Sequence, residues 1–238
     1  MYTIYLEEID STNLYAKAKL DDLADGTVIY AKRQTDGHGR LQRSWVDLGE
    51  GNLFLSFVLK PSTSFAGIFS NLTQYLSVVL CHILEEYEVT PQIKWPNDVL
   101  IDNKKIAGIL AETVMQGNNF RGLVLGIGVN LNADLCSLSV IDKSASALNL
   151  ETGKNIDIND FVNKLTCKFF ENYDKFLNEG FECIKRDYLN YANFLDTEIC
   201  IQVFNEKKTG RAESITDKGE LVLRRNNEQL ILTIGDIL

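Results

Sequence analysis

The sequence has 238 residues, 45% hydrophobic and 24% charged, which is typical of a folded protein with one large or two smaller domains. Its net charge of −9 argues against non-specific binding to nucleic acid or anionic membranes, and no apolar run reaches the roughly 20 residues of a membrane span. The five cysteines are isolated from one another, which favours reduced thiols in a cytoplasmic protein. With only two histidines, a histidine–cysteine zinc site is not expected, and the N-terminus lacks the basic flank of a signal peptide.

The first third of the chain predicts strands and two helices. Weak alternation over residues 2–6 predicts a short strand, followed by a helix that ends near Leu20. Apolar runs at 27–31 and 52–59 predict strands on either side of a glycine-containing loop. Apolar residues then recur at spacings of three and four over residues 65–87, which predicts a long amphipathic helix.

The middle of the chain predicts strands joined by tight turns. Pro96 interrupts the apolar run at residues 93–101, because proline cannot continue a central strand or a helix. A turn at 102–104 leads into a strand over 105–114, and a further strand is expected over 122–131. This succession indicates an antiparallel or mixed sheet rather than a doubly wound one.

The second half predicts helices and then short strands. A short helix is expected at residues 144–150, followed by a long helix over 161–177, capped by Asn159 and stopped near Gly180, and a shorter helix over 181–191. After residue 196, four or five short strands predict a small β-barrel. The predicted fold class is therefore α+β. A mixed, largely antiparallel sheet packed by helices occupies residues 1–192, and a small C-terminal β-barrel domain occupies residues 193–238.

Two polar clusters in the first third could carry chemistry. Ser11, Thr12 and Asn13 are consecutive, and they either cap a helix or face a polar ligand. The loop after the second predicted strand contains Gln34 and the segment 37–40, with the sequence Gly-His-Gly-Arg. Glycine lets backbone N–H groups approach an anion, and arginine adds a planar charge suited to phosphate or carboxylate. Such loops are common surface turns, so this motif is weak on its own.

Two more clusters lie in the middle of the chain. The segment 94–98, Lys-Trp-Pro-Asn-Asp, followed by Lys105, is either a strand edge protected by charge and proline or a site where a buried lysine meets an anion. Gly126 and Gly128 lie on one face of a strand, and they either allow a helix to pack closely or leave room for a flat ligand.

The combined residue types favour phosphate chemistry. No Ser-His-Asp set, cysteine–histidine pair, P-loop or dinucleotide fingerprint occurs in the sequence. Cations, a carboxylate and glycine-exposed backbone suit reactions in which positioning and charge neutralisation dominate.

In this order the motifs resemble those of the biotin protein ligases, in a stand-alone form without an N-terminal DNA-binding domain. The motifs are Ser11-Thr12-Asn13, Gln34 with Gly37, Gly39, Arg40 and Trp45, Lys94 to Asp98, Lys105 with Ala107 to Leu110, and Gly126 with Gly128 and Asn130. The resemblance implies a catalytic domain like that of class II aminoacyl-tRNA synthetases and an SH3-like C-terminal barrel.

The resemblance also implies an activity. The enzyme would activate biotin with Mg-ATP as biotinyl-5′-AMP and pass the biotinyl group to one lysine of a biotin carboxyl carrier domain of a biotin-dependent carboxylase. ATP and magnesium would be the cofactors and biotin the substrate. The expected location is the cytoplasm, without DNA or membrane binding, and a homodimer is left open.

Site residues follow from the resemblance, position by position. The implied biotin contacts are Ser11, Thr12, Asn13, Gln34, His38, Gly39, Arg40, Lys105, Gly108, Leu110, Gly126 and Gly128. The implied ATP and adenylate contacts are Gly37, His38, Arg40, Trp45, Lys94, Asn97 and Asn130. Lys105, Arg40 and Asp98 would be catalytic, and Asp98 and Asn130 would hold the metal.

Two alternatives stay open beside this interpretation. Lipoate or octanoate protein ligases share the fold, although their usual Arg-Arg-x-Ser-Gly-Gly-Gly loop is absent. A non-catalytic biotin- or nucleotide-binding regulator would be expected to lack Lys105, Arg40 or Asp98. The glycine loop departs from the family pattern, with His38 in place of its first arginine, so we expect adenylate retention to depend on pH.

Overall fold

The computed structural model describes residues 2–40, 43–49, 51–61, 69–139, 144–226 and 228–238. Its larger sheet has seven strands. They are β1 (Thr3–Ile9), β2 (Val28–Gln34), β3 (Leu53–Leu59), β4 (Pro91–Lys94), β5 (Asp98–Ile101), β6 (Lys104–Gln116) and β7 (Asn119–Val129). Their order is β1-β2-β3-β7-β6-β5-β4, with β1 and β2 parallel and every other neighbouring pair antiparallel.

Seven α-helices are present among the described residues. They are α1 (Thr12–Ala18), α2 (Phe69–Glu85), α3 (Leu135–Leu138), α4 (Leu148–Thr152), α5 (Ile158–Glu171), α6 (Tyr173–Glu179) and α7 (Glu182–Tyr191). α2 packs against β4, β5 and β6 and against α5 and α7, while α1 packs against β2, β3 and β7 with a separate set of core residues. All seven side chains of β3 are buried, because helices cover the central strands on both faces.

A second, antiparallel sheet follows at the C-terminal end. Its strands are β8 (Glu198–Val203), β9 (Glu206–Ile215), β10 (Leu221–Arg225), β11 (Glu228–Leu232) and β12 (Asp236–Ile237), in the order β11-β10-β9-β8-β12. The same hydrophobic cluster that fills the large sheet continues through Ile199, Ala212 and Leu221 of this sheet. The predicted fold class is confirmed, with a mixed, largely antiparallel sheet packed by helices and a separate C-terminal antiparallel sheet. The domain division at residues 192 and 193 stays a prediction.

Two helix predictions are wrong in detail. The run predicted as one helix over residues 161–177 is broken at Asn172, which separates α5 from α6. The N-cap of α5 is Asp157 rather than Asn159, because Asp157 has extended backbone angles and its side chain accepts a hydrogen bond from the N–H of Asp160.

Other boundaries shift by a few residues. The helix predicted at residues 144–150 begins only at Leu148, and its Gly153 C-cap has a φ of 69°. The first four residues of the helix predicted over 65–87 lie outside the described residues. None of the helices in the described ranges is long and apolar enough to cross a membrane.

Candidate active site

A cavity of about 350 Å³ lies beside the start of α1, on strands β3, β6 and β7 of the large sheet. Its size falls within the range of small-molecule sites, roughly 300–1,000 Å³. The loop after β2 and the two-residue strand β12 complete its lining through Arg40 and Asp236. The cavity therefore brings together segments from both ends of the chain.

One end of the cavity is a buried network of uncharged polar groups. Ser11 caps α1, and the N–H and Oγ1 of Thr12 donate to Oε1 of Gln34 at 2.8 and 3.0 Å. Oγ of Ser56 lies 2.8 Å from Oγ1 of Thr12 and 2.6 Å from Oδ1 of Asn13. Nδ2 of Asn13 also donates to Oε2 of Glu112 at 2.8 Å. These groups satisfy one another, so a polar ligand that enters here has to match or replace their hydrogen bonds.

Glycines create the space for an aromatic wall. A Cβ atom on Gly128 would lie 2.5 Å from the ring of Trp45, and one on Gly108 would lie 2.7 Å from the same ring. Nζ of Lys105 lies 5.3 Å from the centre of this ring, within the range of a cation–π contact. Glycine at these two positions therefore lets the indole of Trp45 lie close to strands β6 and β7.

The other end of the cavity carries paired charges. Nζ of Lys105 lies 2.7 Å from Oδ1 of Asp98, and Nη1 of Arg40 lies 3.0 Å from Oδ1 of Asp236. Nη1 of Arg40 also donates to Oδ1 of Asn97 at 3.0 Å. Nδ2 of Asn97 in turn donates to the carbonyl oxygen of Ile109 on β6. This arrangement suits a ligand with a neutral hydrogen-bonding head and an anionic tail.

The comparisons with known proteins place this architecture in a family. A family model described as the biotin/lipoate A/B protein ligase family matches residues 5–130, more than half of the chain. The chain belongs to this family. The resemblance seen in the motifs is thereby confirmed.

Several members of the ligase family align over nearly the whole chain. The bifunctional ligase/repressor BirA of Bacillus subtilis is 29% identical over 228 residues, which cover 94% of this chain and 70% of BirA. The biotin–[acetyl-CoA-carboxylase] ligase of Paracoccus denitrificans is 29% identical over 226 residues, covering 92% of each chain. The biotin protein ligase of Aquifex aeolicus, solved with biotin and ATP, has a TM-score of 0.84 at 29% identity and covers 100% of this chain and 97% of its own.

The cavity gathers nearly all of the predicted site residues. Those that line it are Ser11, Thr12, Asn13, Gln34, His38, Gly39, Arg40, Trp45, Asn97, Asp98, Lys105, Gly108, Leu110, Gly126, Gly128 and Asn130. His38 is exposed, and its Nδ1 lies 2.6 Å from the carbonyl oxygen of Asp36. The roles assigned to these residues stay predictions.

Gly37 and Lys94 do not belong to the lining. Gly37 is buried at the base of the loop, where its carbonyl accepts a hydrogen bond from the N–H of Trp45 at 2.8 Å. A Cβ atom on Gly37 would lie 2.7 Å from the carbonyl oxygen of Trp45. Its contribution is to close the loop at its base. Lys94 ends β4, opposite Asp98, and the cavity gives its predicted adenylate contact no support.

The cavity also contains residues to which the sequence analysis assigned no ligand contact. They are Arg43, Ser44, Val46, Phe54, Ile109, Ile127, Ser144, Ala145 and Asp236. Phe54 pairs with Gly128 across β3 and β7, so alternation along these strands could have placed it there. Alternation turns the side chains of Ile109 and Ile127 to the other face of the sheet, where they belong to the main hydrophobic core, so it could not have indicated them. Asp236 lies 196 positions after Arg40, and no local pattern indicates that pairing.

Proposed function

We propose that this protein is a biotin protein ligase that converts biotin and ATP to biotinyl-5′-AMP and pyrophosphate, and then transfers the biotinyl group to a protein lysine. The observation that carries this proposal is the difference between the two ends of the cavity. One end has a network of buried, uncharged polar side chains, and the other has two cations, each paired with a carboxylate. The Aquifex aeolicus relative solved with biotin and ATP supports the same pair of ligands.

The polar end would recognise the ureido ring of biotin. A ureido ring has one carbonyl acceptor and two N–H donors, and the hydroxyl and amide groups of Thr12, Asn13 and Gln34 can match both kinds of group. A site built on such hydrogen bonds rejects analogues that lack one of the polar groups, because a buried partner would then remain unpaired.

The cationic end would stabilise the adenylation step. A carboxylate oxygen of biotin attacks the α-phosphorus of ATP, and the bond from this phosphorus to the bridging oxygen of pyrophosphate breaks. Lys105 is positioned between Asp98 and the ring of Trp45, so its ammonium can neutralise charge near the carboxylate and α-phosphate. Arg40 would bind the phosphate of the resulting mixed anhydride.

The second step transfers the acyl group. The amine of an acceptor lysine attacks the carbonyl carbon of biotinyl-5′-AMP, and AMP leaves as an amide bond forms. Since the name of the Paracoccus denitrificans relative, biotin–[acetyl-CoA-carboxylase] ligase, implies a carboxylase as its acceptor, we infer that a biotin carboxyl carrier domain is the partner of this protein. A homodimer and a cytoplasmic location stay predictions.

Magnesium would enter with ATP rather than occupy a site built by the protein alone. No cluster of three histidine, cysteine or acidic side chains suited to a metal occurs in the described ranges, and Asp98 is already paired with Lys105. Magnesium is commonly held by one or two carboxylates together with substrate phosphates. The assignment of Asp98 and Asn130 to the metal stays a prediction, and no step is derived through the ion.

The deciding experiment is ATP–pyrophosphate exchange with biotin, lipoate and octanoate as parallel acids. We expect exchange with biotin only, reduced on the order of a hundredfold or more in Lys105→Ala because a transition-state charge loses its partner. Lys104→Ala is the matched control, since Lys104 is exposed and pairs with Glu151 at 3.3 Å, outside the cavity. Exchange driven by lipoate or octanoate would contradict the proposal and move the protein to another branch of the family.

A further inference from the structure

Arg40 is held at one of its three side-chain nitrogens. Nη1 donates to Oδ1 of Asn97 at 3.0 Å and to the carbonyl of Gly235 at 3.2 Å, and it lies 3.0 Å from Oδ1 of Asp236. Nε and Nη2 make no hydrogen bond to any residue within the described ranges. A guanidinium fixed at one nitrogen keeps its other donors for an anion, in the planar geometry that phosphate and carboxylate groups accept.

Two of the three groups around Nη1 come from the C-terminal end of the chain, since Gly235 directly precedes β12 and Asp236 begins it. Gly235 has a φ of +152°, and a Cβ at this position would lie 2.8 Å from Cδ1 of Ile201. A glycine is therefore required for the chain to approach β8 closely here. This approach brings the Gly235 carbonyl and the Asp236 carboxylate to the same side of Arg40.

Asp236 also faces a second arginine of the glycine loop. Its Oδ2 lies 2.9 Å from Nη1 of Arg43, although no donor is aligned on this buried oxygen in hydrogen-bond geometry. The side chain of Asp236 is 14% exposed and that of Arg40 is 18% exposed, so their interaction is shielded from solvent and from salt. One carboxylate thus offsets the repulsion between two cations on the same loop.

We propose that Asp236 is a positioning residue for the adenylate-binding arginine, through which the C-terminal sheet sets the orientation of Arg40 in the cavity. This inference rests on the proposed ligase function. Without the Asp236 charge, Arg40 keeps its hydrogen bonds to Asn97 and Gly235 but loses its ionic partner. The guanidinium then samples other orientations, and the phosphate of the adenylate loses a pre-organised contact.

The test is the rate at which biotinyl-5′-AMP dissociates from purified full-length protein. Asp236→Asn keeps the shape of the side chain and removes its charge, and we expect dissociation to accelerate roughly tenfold, the scale of one charge-assisted hydrogen bond. The KM for ATP should rise by a similar factor, while kcat for pyrophosphate exchange changes less than about threefold. Asp236→Glu should restore much of the retention because it keeps the carboxylate.

A double-mutant cycle shows whether Asp236 acts through Arg40. Arg40→Ala should accelerate dissociation, and adding Asp236→Asn to it should have little further effect, because the group being positioned is gone. Asp217→Asn is the matched control, since Asp217 also joins the C-terminal sheet to the larger part of the fold through Lys185, outside the cavity. Its dissociation rate should equal that of the unmodified protein.

The outcomes separate this inference from the proposed function. Unchanged or slower dissociation in Asp236→Asn, or strictly additive effects in the cycle, would overturn the positioning role while wild-type exchange still supports the ligase. Slower dissociation in particular would mean that Asp236 competes with the ligand for Arg40. Absence of biotin-dependent exchange in the wild-type protein would overturn the proposed function and this inference with it.

Discussion

The glycines on the cavity strands make room for different neighbours. A Cβ on Gly126 would lie 2.2 Å from Oδ1 of Asn13, so this glycine lets the first turn of α1 pack against β7. Gly108 and Gly128 instead receive the indole of Trp45. The alternation of glycines in β7 left helix packing and room for a flat ligand as alternatives. The structure shows helix packing at Gly126 and the indole of Trp45 at Gly128, and the ligand alternative stays a prediction.

Gly128→Ala should weaken biotin binding on the order of tenfold. The added methyl group would displace Trp45, and overpacking of this kind typically costs about 1–3 kcal/mol. Isothermal titration calorimetry with biotin measures the effect. In a Trp45→Ala background the same substitution should change the affinity little, because the clash has been removed. An equal loss in both backgrounds would show that the indole is not the reason for the glycine.

Among the elements, α5 shows how a local signal can be assigned to the wrong residue. Asp157 and Asn159 are both residue types that cap helices, and they are two positions apart. Asp157 Oδ1 accepts from the N–H of Asp160 at 2.9 Å, whereas Oδ1 of Asn159 accepts from the hydroxyl of Tyr30 at 3.2 Å. The side chain of Asn159 thus bonds to Tyr30 of β2, and Asp157 is the residue that caps α5.

Asp157→Ala should lower the free energy of unfolding by about 1 kcal/mol, the usual effect of losing an N-cap. Asn159→Ala is the natural comparison, because it removes only an exposed hydrogen bond and should stay within about 0.5 kcal/mol of the unmodified protein. Urea denaturation monitored by circular dichroism measures both. A larger effect for Asn159→Ala would favour the cap that the sequence pattern predicted.

At the scale of the whole molecule, one turn of the C-terminal sheet bonds both to α2 and to the segment between β4 and β5. The carbonyl of Gly219 accepts from Nε2 of Gln74 at 2.9 Å and from Nε1 of Trp95 at 3.2 Å. Gly219 has a φ of +77°, and a Cβ there would lie 2.4 Å from polar atoms of both Asn71 and Gln74. α2 and the Lys-Trp-Pro-Asn-Asp segment are therefore fastened to the C-terminal sheet at the same carbonyl.

Buried tyrosines in the helical layer set the stability of the whole fold at high pH. Desolvation raises the pKa of Tyr173, and the nearby charge of Asp25 adds to this effect; desolvation likewise raises the pKa of Tyr75. An unfolded phenol loses its proton near pH ~10, whereas the folded protein keeps both protons above that value. The unfolded state then binds fewer protons, so the free energy of unfolding falls as pH rises above about 10.

Tyr173→Phe and Tyr75→Phe should both reduce this alkaline loss, each by up to about 1.4 kcal/mol per pH unit. The two variants should differ in their free energy of unfolding at pH 7. The Tyr173 hydroxyl has no hydrogen-bond partner within the described ranges, so its removal should be neutral or slightly stabilising. The Tyr75 hydroxyl donates to the carbonyl of Phe169 at 2.5 Å, and its loss should cost about 1 kcal/mol.

Urea titrations at pH 7 and between pH 9.5 and 11 measure these differences. Equal stabilities at pH 7 would show that the Phe169 contact contributes nothing. An unaltered alkaline slope in both variants would show that other groups govern unfolding at high pH.

The sequence by itself determined most of the elements and their order, and it named most of the residues that line the cavity. Helical periodicity, apolar runs and turn residues depend on neighbours within a few positions, so they predicted the mixed sheet, α2, the helices after residue 157 and the C-terminal strands. The motifs at Ser11, Gln34, Lys105 and Gly126 likewise pointed to the residues that line one cavity.

Only the tertiary structure decided which of these residues touch. Asp236 meets Arg40, Trp45 covers Gly108 and Gly128, and each of these pairs is far apart in the chain. Such contacts depend on how two sheets and a loop pack against one another, which local propensity does not encode. A two-residue strand such as β12 also carries too short a pattern to be predicted, since its place is set by pairing with β8.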